Sequence, residues 1–253
     1  CNLELHLLDD NLDPTISPKQ SDSFEECAKP MGKATINDFG EIYSSYAAGC
    51  LDPAFCLLVE TQAALRPDVQ RAVARAETIA GVFFESEEMA TLSAGAADKA
   101  LALIDAYEAG ERPVAQAVKL AGEGLDELLE LPEPLRETAL HSYQTHKWQG
   151  LTQGIRRLRL DAGSEAEVEL YRIEPGCTVP KHSHHGSEFT LVVAGGFSDE
   201  SGSFGPGDIS LKGPEDTHQP TGDMDGVCYA LAIRDGGLKF TGVMGLIQRL
   251  VGQ

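Results

Sequence analysis

The chain has 253 residues, 42% of them hydrophobic, and a formal net charge of −20 at pH 7. Phosphate contacts require a surface rich in Lys and Arg, so this charge argues against direct nucleic-acid binding and against docking on an anionic membrane. No apolar run approaches the roughly 20 residues that a membrane-spanning helix needs. The opening residues lack the pattern of a secretory signal, so a cytoplasmic location is expected.

Patterns typical of helices fill the chain from about residue 37 to 143. Asp52 followed by Pro53 indicates a helix start, because a carboxylate caps the first N–H groups and proline fits the first helical position. Pro67 is expected to interrupt this helix, since proline disfavours helical geometry in the residue before it. A second helix is predicted from there to about Phe84.

The pattern changes to short strands beyond Pro134. The segments VELYRI, EFTLVVA, DISLK and VCYALAIR are rich in β-branched or aromatic residues, and turns containing Gly and Pro separate them. This alternation is typical of an antiparallel sandwich or barrel. Helices followed by strands predict an α+β chain with two domains.

The predicted organisation has four parts. The first is polar, acidic and punctuated by prolines, which indicates a disordered leader. The parts are the leader over residues 1–30, a helical domain over 31–110, a helical linker over 111–131 and a β domain over 132–253.

The six cysteines show no C-x-x-C spacing, so neither a cysteine zinc site nor a disulfide framework is predicted. Reduced thiols fit a cytosolic chain. For Cys177 and Cys228, in the β domain, buried packing is expected and a redox role is the alternative.

The segment KHSHHGSEF suggests a metal site. His182 and His184 lie two apart, so in an extended strand both imidazoles point to the same face. Glu188 adds the negative charge that a divalent cation requires, and His218 is the one histidine downstream that completes a set of four. Three imidazoles and a carboxylate suit Zn, Fe, Mn, Ni or Cu, and a closed four-ligand site favours one Zn per chain.

The spacing around these residues resembles the cupin barrel, an antiparallel double-stranded β-helix. The first cupin motif is matched at every position. The second has altered spacing and lacks its usual later Asn, which argues against transferring cupin enzyme chemistry. The matching positions are Gly176, His182, His184, Glu188 and Gly195 in the first motif and Gly207, Pro214 and His218 in the second.

Together, the two halves resemble the ChrR-type anti-sigma factors, which join a helical anti-sigma domain to a cupin-like domain. The resemblance covers roughly residues 36–110 and 131–253, and its strongest carriers are SYAAGCLDPAF and PKHSHHGSEFTLVVAGGFSDESGSFGPGDI. It implies a protein that holds an extracytoplasmic-function sigma factor inactive until oxidative stress releases it. It also implies zinc on the four histidine and glutamate residues named above.

The helical half departs from this family at its metal ligands. Zinc anti-sigma domains carry a His early in the first helix and a His-x3-Cys-x2-Cys motif at the end of the second. The corresponding positions hold Asn37, Gln62, Arg66 and Val69, none of which is a usual zinc ligand. The helical half is therefore expected to hold together by apolar packing alone, or to fold on its partner.

Two alternative functions stay open. One is a cupin-type dioxygenase or isomerase that uses Fe or Mn, with the helices as a regulatory domain. The other is a metal sensor that acts without a sigma factor. No acid–base set is recognised besides the metal ligands, so no catalytic residue is assigned.

Overall fold

The computed structural model describes residues 39–89, 91–106 and 125–235, and the backbone of residues 238–240. The predicted leader over residues 1–30 and much of the predicted linker lie outside the described residues. Among the helices within the described ranges, none has the length and hydrophobicity needed to cross a bilayer.

The described residues contain six helices. As the sequence predicts, Asp52 caps the second of them: its carboxylate accepts a hydrogen bond from the backbone N–H of Ala54 at 2.9 Å. Arg66 is extended, with φ −129° and ψ 109°, so the second helix ends just before Pro67 and a third begins there. The helices are α1 Gly40–Ala47, α2 Pro53–Leu65, α3 Pro67–Glu85, α4 96–106, α5 Asp126–Leu129 and α6 Leu135–Thr145.

Twelve strands follow in the described part of the chain, and all of their pairings are antiparallel. They are β1 Gln149–Thr152, β2 Ile155–Arg159, β3 Glu167–Ile173, β4 His182–His184, β5 Glu188–Ala194, β6 Phe197–Asp199, β7 Gly202–Phe204, β8 Ile209–Lys212, β9 Thr217–His218, β10 Thr221–Gly222, β11 Cys228–Arg234 and β12 Leu238–Phe240.

The strands form one large sheet and two small ones. The large sheet has the order β1-β2-β3-β11-β5-β8, so the four strands predicted from the sequence are consecutive neighbours in it. The small sheets have the orders β10-β6-β7 and β12-β4-β9. The predicted barrel is therefore corrected to three separate sheets that do not close into one ring. Prolines contribute to the breaks: Pro220, which has no N–H to donate, separates β9 from β10.

One hydrophobic cluster extends from the helices into the large sheet. Val69 of α3 and Leu58 of α2 belong to the same buried cluster as Leu170 and Leu191 of the sheet. A second cluster lies on the opposite face of the sheet. Val192 belongs to it, because adjacent residues of a strand, here Leu191 and Val192, point to opposite faces. The helices thus pack on one face of the sheet and leave the other face to enclose an interior.

Candidate metal centre

Four side chains from three strands converge in this interior. His182 and His184 lie on β4, Glu188 begins β5 and His218 lies on β9, directly opposite His182 in the strand pairing. All four are buried, and their candidate ligand atoms lie within 4.8 Å of one another. The structure therefore brings together the four residues that the sequence singled out.

The spacing of the donor atoms fits one metal ion. The Nε2 atom of His218 lies 3.0 Å from Nε2 of His182 and 3.1 Å from Nε2 of His184. The Oε1 atom of Glu188 lies 3.6 Å from Nε2 of His218. Donors that each lie about 2.0–2.2 Å from a shared metal are separated from one another by roughly 3.0–3.6 Å.

Hydrogen bonds on the far side of two rings set their orientation. Nδ1 of His182 lies 2.8 Å from the carbonyl oxygen of Pro180, and Nδ1 of His218 lies 3.1 Å from Oδ2 of Asp199. Both partners are acceptors, so Nδ1 carries the hydrogen and the Nε2 lone pair faces the centre. Burial, assisted by the neighbouring His218, lowers the pKa of His182 to about 4. Neutral imidazoles that direct lone pairs at one point are suited to a cation.

Asp199 and Lys212 support His218 from behind. Burial raises the pKa of Asp199, but hydrogen bonds from His218 and Lys212 outweigh this effect and bring the pKa down to about 2. The Lys212 ammonium lies 2.9 Å from the Asp199 carboxylate, and both side chains are almost completely buried. This pair was not predicted from the sequence. The alternation of β8 was the available signal, because it turns Lys212 away from the helices.

Arg234 fixes the carboxylate of Glu188. Its guanidinium lies 3.1 Å from Oε2 of Glu188, which leaves Oε1 facing the histidines, and it also pairs with Glu167 and Glu169. Burial raises the pKa of Glu188, but Arg234 and then the three histidines outweigh it and lower the pKa to about 2. Glu188 is therefore ionised and oriented. Arg234 was also missed, although it ends the apolar segment VCYALAIR.

A small cavity of about 40 Å³ lies beside three of the four residues, His182, Glu188 and His218. Leu151, Ile173, Val179 and Phe197 contribute to its apolar walls. A water needs roughly 10–15 Å³ measured in this way, so the cavity holds about three water-sized molecules. This volume is small compared with the several hundred Å³ of typical sites for drug-sized ligands.

The two cysteines of the β domain pack in the second hydrophobic cluster. Cys228 is fully buried, and this burial, assisted by Asp223, raises the pKa of its thiol to about 12. A thiol that stays protonated is a poor nucleophile, which favours packing over a redox role for Cys228. His185, adjacent to the cluster in sequence, is exposed.

The positions where zinc anti-sigma domains carry ligands have other partners here. Val69 is fully buried in the core. Gln62 donates a hydrogen bond to the carbonyl oxygen of Gly207, and Arg66 pairs with Asp208. The expectation of apolar packing alone is therefore wrong, because polar side chains also join the helices to the turn before β8. Asn37 lies outside the described residues.

The fold and the cluster define a protein with N-terminal helices and a cupin-like domain. Residues 136–235 match the model of the ChrR Cupin-like domain. The chain is 31% identical over 199 residues to the anti-sigma-E factor ChrR of Cereibacter sphaeroides, covering 79% of this chain and 89% of the relative. The chain therefore belongs to the ChrR family of anti-sigma factors.

A solved structure also matches across both halves. A chain in the crystal structure of Rhodobacter sphaeroides SigE in complex with the anti-sigma ChrR aligns with a TM-score of 0.59 and 28% identity. The match covers 78% of this chain and 96% of that chain. The predicted class, N-terminal helices plus a cupin-like antiparallel β domain, is confirmed.

Proposed function

We propose that this protein binds an extracytoplasmic-function sigma factor, holds it inactive, and releases it under oxidative stress sensed through the cupin-like domain. The observation that carries the proposal is an exposed apolar surface on the helices of a chain of the ChrR family. A sigma factor acts with RNA polymerase, so a cytoplasmic location is part of the proposal.

The apolar surface lies on the last turns of α3. Phe83 and Phe84 are 68% and 81% exposed, and Ile79 and Val82 beside them are also exposed. A groove between α1 and α3 with a volume of about 630 Å³ adjoins these side chains. Proteins rarely expose contiguous large apolar groups unless a partner covers them. Helix α4 exposes further leucines and an isoleucine, at Leu101, Leu103 and Ile104.

The charge around this surface indicates the chemistry of the partner. Glu77 and Glu87 line the groove, and the chain as a whole carries a net charge of −20. An apolar patch with an acidic border complements a partner with an apolar patch bordered by basic residues. A sigma factor, which presents basic surfaces to promoter DNA, has this character.

The test is the affinity for an extracytoplasmic-function sigma factor from the same organism. The double variant Phe83→Ser, Phe84→Ser is expected to weaken binding about 100-fold, because large apolar side chains at the centre of an interface carry most of its energy. Its unfolding free energy should change by less than about 0.5 kcal/mol, since both side chains are exposed.

Met224→Ser is the matched control, because Met224 is 81% exposed but lies in the β domain. It should bind like the unsubstituted protein. Unchanged affinity of the Phe83, Phe84 variant would reject this interface. Failure of the unsubstituted chain to bind any such sigma factor would favour the sigma-independent sensor.

We further propose that His182, His184, Glu188 and His218 hold one metal ion per chain, and that the ion is zinc rather than iron, manganese or nickel. Support comes from a nitrogen-rich set of four donors, which zinc binds as a closed tetrahedron. When bound, the ion supplies positive charge that offsets the converging lone pairs. X-ray absorption at the metal edge tests this, with a zinc edge and four-coordinate scattering as the expected result.

The small cavity argues against the alternative of a dioxygenase or isomerase that acts on a bulky substrate. An iron edge together with oxygen uptake on a screened small substrate would reverse this assignment.

A further inference from the structure

We propose that Tyr43, Gln62 and Arg66 form a polar clasp with the turn at Gly207 and Asp208, and that this clasp couples the helices to the strands of the candidate metal centre. Such a clasp would transmit structural changes between the two halves of the chain, which is a role separate from sigma-factor binding. It requires neither a sigma factor nor a bound metal for its test.

A buried chain of two hydrogen bonds forms the centre of the clasp. The Tyr43 hydroxyl donates to Oε1 of Gln62 at 3.1 Å, and Nε2 of Gln62 donates to the carbonyl oxygen of Gly207 at 3.0 Å. Tyr43 and Gln62 are 3% and 6% exposed. Removing one member leaves buried polar atoms without partners, which is more destabilising than the loss of an exposed hydrogen bond.

An ion pair lies beside this chain. Nη1 of Arg66 lies 3.3 Å from Oδ1 of Asp208, while Oδ2 of Asp208 accepts the backbone N–H of Gly205 at 2.9 Å. Asp208 therefore shapes the turn and binds the helix with the same carboxylate. Because Arg66 is partly exposed, the Gln62 branch should contribute more than the ion pair.

The turn approaches the helix so closely that it requires glycine. Gly207 has φ +83°, and a Cβ atom there would lie 2.4 Å from Cγ of Arg66. No real Cβ atom tolerates that distance, so the stem of Arg66 rests directly on the glycine backbone. Apolar contact thus reinforces the polar contacts of the clasp.

The strands that follow the turn lead to the candidate metal centre. Asp208 immediately precedes β8, and β8 ends at Lys212, which pairs in register with Glu188 of β5. These four residues of extended chain span about 13 Å. A shift of either strand at the centre is therefore carried directly to the turn that the helices hold.

A second contact joins the same strand to the helices. Phe189 follows Glu188 and points to the opposite face, where its ring meets Phe55 of α2 edge-on with centroids 5.0 Å apart. Strand β5 thus presents a candidate ligand to the interior and an aromatic anchor to α2 from adjacent positions. A displacement of Glu188 moves the ring against which α2 packs.

Hydrogen exchange of the full chain, read by mass spectrometry, tests the clasp. Gln62→Met keeps the size of the side chain and removes both hydrogen bonds, so exchange in α2 and α3 should rise about tenfold while β5 and β8 stay protected. Asp208→Asn keeps an acceptor for the Gly205 N–H and should give a smaller rise, about threefold.

Thr61→Val is the matched control. Thr61 lies next to Gln62, is fully buried, and its hydroxyl has no hydrogen-bond partner among the described residues. This variant should leave exchange unchanged. If Gln62→Met exchanges like Thr61→Val, or if β5 and β8 lose protection as much as the helices, the clasp is overturned.

A double-mutant cycle tests the coupling. His182→Ala disturbs the centre and should by itself raise exchange in α2. In the combined variant with Gln62→Met, the factor contributed by His182→Ala should become smaller, because the clasp is already broken and the contact between Phe189 and Phe55 still joins β5 to α2. Factors that simply multiply, or no effect of His182→Ala on α2, would show that the two halves are independent.

Discussion

The candidate metal centre and the clasp both bury polar side chains, but they satisfy them differently. At the centre, three imidazole nitrogens and a carboxylate oxygen converge, so acceptors face acceptors. In the clasp, Nε2 of Gln62 and Nη1 of Arg66 each meet an oxygen of the turn at Gly207 and Asp208. The first arrangement is suited to a cation from outside, whereas the second pairs donors with acceptors of the folded chain.

This difference bears on the positions at which zinc anti-sigma domains are expected to carry ligands. Gln62 and Arg66 are long and carry donors, so they reach the turn before β8 and bind its oxygens. Val69, at another of these positions, is fully buried in the core. The helices are therefore held by the β domain, and the two halves share one hydrophobic cluster. The division of the chain at residues 111–131 stays a prediction.

The largest expected effect comes from Arg234, which pairs with the buried carboxylates beside the candidate metal centre. Arg234→Met leaves Glu188 as a buried carboxylate without its arginine and leaves Glu169 with Arg157 as its remaining cation, which should lower the unfolding free energy by about 3–5 kcal/mol. Urea denaturation measures the change. Arg159→Met, at an exposed position of β2, should cost less than about 0.5 kcal/mol. Equal effects of the two substitutions would contradict the role given to Arg234.

The next effect concerns the partner of His218. Asp199→Asn removes the carboxylate that holds the His218 ring and should weaken metal affinity about 10- to 100-fold, as measured by competition with a chelator. Asp225→Asn, which changes an exposed carboxylate, should leave the affinity unchanged. If the Asp199 variant binds as tightly as the Asp225 variant, His218 does not depend on this hydrogen bond.

The smallest expected effect is the difference between two glycine substitutions, which separates the cost of backbone strain from the cost of the contact between Gly207 and Arg66. Gly207→Ala and Gly163→Ala both place alanine at a positive φ, but the added Cβ collides with Arg66 only at Gly207 and meets open space at Gly163. In both variants, backbone strain should lower the free energy of unfolding by about 1–2 kcal/mol. In Gly207→Ala, the contact with Arg66 should lower it by roughly a further 1–2 kcal/mol. Thermal unfolding measures both variants, and equal losses would show that the close approach of Gly207 to Arg66 does not contribute.

The sequence predicted features that depend on neighbouring residues. The Asp52 cap, the break at Pro67 and the His182-x-His184 pair each lie within a few positions, where periodicity and local stereochemistry decide the outcome. Four strands were recognised for the same reason. The structure adds that these four lie side by side in one sheet.

Features set by strand register were not predictable in this way. Arg234 reaches Glu188 because β11 and β5 pair with these residues opposite each other, and Gln62 meets Gly207 across 145 positions of sequence. Such contacts depend on how distant segments pack, and no local pattern contains that information. The available signals were the alternation of β8 for Lys212 and the charged end of an apolar strand for Arg234.

Metal content measured on three purified proteins tests the central claim most directly. The unsubstituted chain and the Gln62→Met, Arg66→Met variant should each contain about one metal ion per chain, because the clasp supplies no ligand. The His182→Ala, His184→Ala variant should contain almost none. Equal metal in the unsubstituted chain and the histidine variant, or loss of metal from the clasp variant while its β domain stays folded, would contradict a single centre in the cupin-like half.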